Sequence, residues 1–179
     1  LRKCPNLPTK FQNANNATIL THLASFHLVP DIDKEQKGTT VETKDIKEAL
    51  EAMKNSAVTE LNVSYAYLED DGAEQIAQAL QHSDCQVRKL NMVGNDISNV
   101  GAEYMGRALG HQNCLVTSLQ LGSNSIDDTG TEHIYTSIAK RSTPSPLKEL
   151  SGVDLRKCPN LPTKFQNANN ATILTHLAS

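Results

Sequence analysis

The side chains that could do chemistry in this sequence are paired carboxylates, six histidines and four cysteines. Asp70/Asp71 and Asp127/Asp128 are neighbouring acids of the kind that serves acid–base catalysis or binds Ca²⁺. They recur, however, at the same phase of the chain as Ser98/Asn99. Short polar residues at that phase are expected to accept from the free N–H groups of a helix start, where carboxylates also meet the positive helix end. The histidines (His22, His27, His82, His111, His133, His176) form no HExxH and keep no ligand spacing with acids or cysteines, so they are expected on the solvated surface. Cys85 and Cys114 occupy equivalent places one repeat apart, and Cys4 and Cys158 are one position occurring twice. No CxxC is present, which argues against structural zinc. Free thiols in a reducing compartment, with the cytoplasm favoured, are expected over a Cys85–Cys114 disulfide. Gly94-Asn95 and Gly122-Ser123-Asn124 read as repeat turns, not as a phosphate loop. No catalytic, cofactor-binding or metal-binding residue is nominated. Asn16, Asn62 and Asn170 head glycosylation sequons, which are expected by accident in a chain this rich in asparagine.

The elements that would position these groups repeat. From Val58 to Pro146 the chain is three copies of one unit, 58–86, 87–115 and 116–146, stepping by 29 residues. Val58, Val87 and Val116 align, as do Leu61, Leu90 and Leu119, then Val63, Met92 and Leu121, then Leu68, Ile97 and Ile126. Gly72, Gly101 and Gly130 align further on, followed by Ile76, Met105 and Ile134, and by Leu80, Leu109 and Ile138. Each unit begins with apolar residues two apart, which suits a half-buried strand, and continues with the 3.6-residue spacing of a helix. Strand then helix, repeated, gives right-handed parallel stacking. No single unit can bury its apolar face without its neighbours.

The resulting pattern, LxxLxLxxNxLxxxGxxxLxxAL, resembles the leucine-rich repeats of the ribonuclease-inhibitor type. The resemblance implies an α/β solenoid with parallel strands on the concave face and helices on the convex face. It also gives Asn95 and Asn124 the role of bonding the turn backbone of adjacent coils. Ala66 stands at that position in the first unit, so the ladder is expected to be interrupted there.

The flanks carry an exact duplication: residues 1–25 return unchanged as 155–179. Residues 147–179 read as a further repeat with Leu150, Val153 and Leu155 inward and Cys158 in the asparagine place. Thr163 is a candidate N-cap for a final helix. Residues 1–57 read as a partial coil copying 155–179, a loop over 26–43, and a leading helix from about Lys44 to Asn55 striped by Ile46, Leu50 and Met53. Prolines at 144 and 146 break the chain after the third unit. Without an initiator Met, and with a 154-residue interval between the copies, one reading of the chain is a window on a longer tandem array whose solenoid runs on across the join; the other is an engineered overlap or a cloning duplication.

Net charge of −3 leaves no basic footprint for nucleic acid, and no apolar run is long enough to span a membrane. Curved solenoid faces bind extended protein surfaces. On the implied geometry the concave face displays Glu60, Asn62 and Ser64, then Lys89, Asn91 and Val93, then Ser118, Gln120 and Gly122, then Gly152, Asp154 and Arg156. Tyr65 and Tyr67 fall on the adjoining turn edge and are the better candidate anchors, since interface hot spots favour Tyr, Trp and Arg. The expectation is a non-catalytic scaffold for protein–protein interaction. Its rival is a structural protein that forms a rod or filament, copies of itself meeting end to end.

Overall fold

A computed structural model describes residues 38–178 of the chain. One sheet of five parallel strands runs through them in sequence order: β1 (Thr39–Glu42), β2 (Val58–Asn62), β3 (Lys89–Asn91), β4 (Ser118–Gln120) and β5 (Glu149–Ser151). Between the strands lie α1 (Ile46–Met53), α2 (Glu69–Leu80), α3 (Asn99–Gly110) and α4 (Asp128–Ala139); α5 (Asn170–Leu177) follows β5. The expected α/β solenoid of strands alternating with helices is what forms, and the sheet is not closed.

The aligned apolar positions explain the stacking. Leu61, Leu90, Leu119 and Leu150 pair in register across β2 to β5. All four are buried, as are Ile76, Met105 and Ile134 on the facing helices. Burying each such side chain contributes roughly 1.5–3 kcal/mol. The helices approach closely where side chains are absent: a Cβ on Gly106 would come within 2.9 Å of the His133 carbonyl, and one on Gly110 within 2.7 Å of that of Ser137. Arg141, after α4, ties that end of the solenoid together. Its guanidinium donates to the carbonyls of Leu109 and Gln112, each at 3.0 Å, and to that of Cys114 at 3.3 Å.

Three local expectations need correction. Residues 39–42 are a strand rather than loop. Thr39-Thr40-Val41 is a β-branched run, and it finds a partner in the edge of β2. The rest of that loop, and the copy at 1–25, lie outside the described residues. In the fourth unit the strand is Glu149–Ser151, three residues ahead of the expected register, with Leu150 opposite Leu119. Leu147 and Leu150 repeat the spacing of Val116 and Leu119, and Gly152 then turns the chain at φ 90°. Finally, Thr163 does not cap a long helix. Thr163–Phe165 is a single 3-10 turn, and α5 starts only at Asn170, where the Asn169 side chain accepts from the Thr172 amide. The leading helix α1 keeps its place but starts one residue after Asp45, whose carboxylate accepts from the amides of Lys47 and Glu48.

Candidate functional site: the strand face and its turn edge

The outward residues of the five strands form two rows. One runs Thr40, Glu60, Lys89, Ser118, Glu149; the other runs Glu42, Asn62, Asn91, Gln120, Ser151. Parallel pairing sets neighbours within a row about 4.8 Å apart. In the first row Lys89 Nζ lies 2.7 Å from Glu60 Oε1, and Thr40 donates to Glu60 Oε2 at 3.1 Å. These hydrogen bonds, Lys89 first and Thr40 second, hold the Glu60 carboxyl below the usual range. In the second row the Asn62 and Asn91 side-chain oxygens accept from the amides of Ser64 and Val93, both at 3.1 Å. That fixes both side chains against their own turns.

Of the residues nominated from the sequence, Glu60, Asn62, Lys89, Asn91 and Gln120 therefore share one face, with Ser64 just beyond β2. Asp154 and Arg156 do not join them. They follow β5, where Asp154 caps a 3-10 turn and its Oδ2 lies 2.7 Å from Arg156 Nη2. The face at β5 is supplied by Glu149 and Ser151, and at the other end by Thr40 and Glu42, none of which the sequence reading nominated. Their signal was the three-residue gap between Leu147 and Leu150 and the β-branched run at 39–41.

Two ladders of polar side chains hold this face and its turn edge in place. Asn95 is fully buried; its Oδ1 accepts from the amides of Ala66 at 2.8 Å and Leu68 at 3.4 Å, and its Nδ2 donates to the Val63 carbonyl at 2.9 Å. Asn124 repeats this on the amides of Asn95 and Ile97, at 2.9 and 3.1 Å, and on the Met92 carbonyl at 3.0 Å. The methyl group of Ala66 offers no such bond, and the ladder stops there. Cys158 does not take the asparagine place; it packs as a buried thiol. Leu155 stands in that place instead, and the coil's own turn is bonded by Asn170, whose Nδ2 donates to the carbonyls of Leu150 and Val153 and whose Oδ1 accepts from the Leu155 amide. An Asn170 so engaged is not free to carry a glycan in the folded chain.

The second ladder was not foreseen. The acids at the helix starts do cap, but partly across coils. Asp70 accepts from the Ser98 and Gly101 amides at 2.8 and 2.9 Å and from the Ser98 hydroxyl at 2.6 Å. Asn99 accepts from the amides of Asp127 and Gly130 at 3.0 and 3.2 Å. Asp128, next in phase, pairs with Lys157 at 3.1 Å. Burial raises the Asp70 carboxyl, but the bonds from Ser98 and Gly101 together outweigh it and hold the group below its ordinary range. The sequence signal was the 29-residue step of 70, 99 and 128 itself.

A cleft of about 710 Å³ lies between the start of α4 and residues 152–157, but Asp127 caps α4, Asp128 holds Lys157 and Asp154 holds Arg156. Among the described residues no group of three or more His, Cys, Asp and Glu is placed to hold a metal ion, and no helix is long and apolar enough to cross a membrane. Cys85 and Cys114 are free and buried, and burial pushes both thiols up.

A search of curated proteins found no match to this chain. The family model described as Leucine Rich repeat matches at 54–77, 84–106 and 112–134. Each match takes in one strand of β2 to β4 together with most of the helix after it. From the apolar register, the asparagine ladder and this match together, the chain carries three consecutive leucine-rich repeats.

Proposed function

We propose that the strand face and its turn edge form a non-catalytic recognition surface for an extended segment of a partner protein. The observation that carries this is the pair of aligned polar rows, which repeat hydrogen-bonding groups at the spacing of a sheet. Leucine-rich repeats commonly mediate protein–protein contact, which supports the reading. Glu60, Asn62, Ser64, Lys89, Asn91 and Gln120 would supply the rows, with Tyr65 and Tyr67 as anchors at the edge. Asp154 and Arg156 would flank the far end of the surface. The repeat length and pattern favour the ribonuclease-inhibitor type of coil. The test is site-specific photo-crosslinking in the native cell, with the reactive group placed at Asn91, at Gln120, or at Glu74 on α2. A partner captured from the two strand positions and not from the helix supports the reading; equal capture from the helix removes it.

The exact repetition of residues 1–25 as 155–179 favours a second reading, in which the solenoid continues from unit to unit as a rod. The denatured, reduced mass of the endogenous protein decides it. A product far above 19.5 kDa that yields these peptides in several molar copies supports a tandem array; a single species near 19.5 kDa removes it.

A further inference from the structure

The turns after β2, β3 and β4 share one left-handed backbone position, and those after β2 and β3 have a second. The first is occupied by Tyr65 (φ 55°), Gly94 (φ 67°) and Ser123 (φ 55°) in successive coils, the second by Tyr67 (φ 52°) and Asp96 (φ 55°). Glycine meets this demand freely and aspartate tolerates it, whereas a bulky side chain is an outlier there. The first coil nonetheless places tyrosine at both positions, and Glu69 follows at φ 53°. Burial does not compensate. Tyr65 is 57% exposed and Tyr67 81% exposed, and Val100 is the one other large apolar side chain so exposed among the described residues. The Tyr65 ring is held where it is by the next coil. It lies so close over Gly94 that a Cβ there would fall 2.4 Å from its Cε1.

The sequence around Tyr67 is acidic. Glu69 and Asp71 follow it in the chain, and Asp96 takes its place in the next coil. All three are exposed, and no side-chain donor meets their carboxylates among the described residues, unlike Asp70. Strained, exposed aromatic rings at positions where glycine or aspartate would serve the fold better point to a role outside the fold.

We propose that this edge is the docking site for a Lys/Arg-rich segment of the partner protein. A guanidinium or ammonium seats on the face of Tyr67 and pairs with Glu69, Asp71 and Asp96, while Tyr65 packs beside the segment's backbone. Rings attract cations through their faces, and a planar guanidinium both stacks and bridges carboxylates. The assignment rests on the recognition reading above and names the chemistry of its partner.

The test is titration of the full chain, ¹⁵N-labelled, with a nona-arginine peptide, and with nona-glutamate as control. Amide shifts should concentrate at 65–71 and 94–97 with the basic peptide only. Affinity should fall about tenfold in Tyr67→Ala and be retained in Tyr67→Phe, the scale of one partly desolvated cation–ring contact. Shifts centred on the β2–β4 rows would overturn the assignment while leaving the strand-face reading standing. Shifts spread over the whole surface, no shifts, or an unchanged affinity in Tyr67→Ala would also overturn it. The strand-face reading is judged separately, by the crosslinks from Asn91 and Gln120.

Discussion

Asp70 caps a helix that is not its own. Its carboxylate lies 2.8 Å from the Ser98 amide and 2.9 Å from that of Gly101, so the start of α3 is completed by the coil before it. The same contact accounts for the aligned glycine, since a Cβ on Gly101 would stand 2.5 Å from Asp70 Oδ1 and 2.6 Å from the Ile97 side chain. Asp70→Ala is expected to cost about 1–2 kcal/mol, as loss of a helix cap does. Asp70→Asn should cost less, because Asn99 does the same work one coil later through one oxygen. Gly101→Ala should cost about 1–3 kcal/mol through overpacking. Urea unfolding of the three variants measures the order.

The same carboxylate ties stability to pH. Its folded pKa lies below the unfolded value, so its contribution is fully present above about pH 4 and is lost as pH falls through the folded value. The stability difference between the parent chain and Asp70→Asn should therefore shrink in acid. Unfolding curves from about pH 7 down to about pH 3 would show it, and a constant difference would refute the linkage.

Asn95 satisfies three backbone groups of the preceding coil from a fully buried position. Asn95→Ala leaves them unpaired and should cost about 3 kcal/mol, near the upper end for a single buried polar group. Hydrogen exchange should locate the loss at Ala66 and Leu68. Protection unchanged at those amides would show that the ladder bonds are replaceable.

Tyr67→Gly should raise the thermal midpoint, because glycine removes a left-handed strain of about 1–2 kcal/mol and an exposed ring loses almost no burial. A lower midpoint in scanning calorimetry would mean that the ring supports the turn after all.

Cys85, Cys114 and Cys158 should resist alkylation until the chain unfolds. Cys158 is pushed up to about 12, by burial first and by the neighbouring Glu132 carboxylate second. Thiolate is the reactive form. Peptide mass mapping after native labelling reads this out, in a Cys4→Ser background because Cys4 and Cys158 lie in identical sequence.

The three central coils were legible because their apolar positions repeat at a fixed step, and burial of those positions dominates the fold. The flanks were not. β1 has no leucine frame of its own and exists as a strand because β2 offers an edge. In the last coil two leucine spacings compete, and pairing with β4 chose Leu150 over Val153 as the partner of Leu119. Among the site residues, Glu60, Asn62, Lys89, Asn91 and Gln120 followed from alternation along a strand, and Asp154 and Arg156 were misplaced with the register that carried them. The conformation of Tyr65 and Tyr67 was readable only by asking what Gly94 and Asp96 do at the same turn.

The two ladders run in opposite directions along the chain: Asn95 and Asn124 serve the coil behind them, while Asp70 and Asn99 serve the coil ahead. The middle coil, 87–115, is thus both donor and debtor on each side, at offsets close to one repeat. Copying or deleting that coil whole returns each polar group of its neighbours to an equivalent mate. A change of length between Leu90 and Gly101 would instead part Asn95 or Asn99 from the groups it serves. The architecture therefore has a reading frame for recombination between strand and helix start, while the 31-residue step from Leu119 to Leu150 shows that added length is taken up between helix and strand.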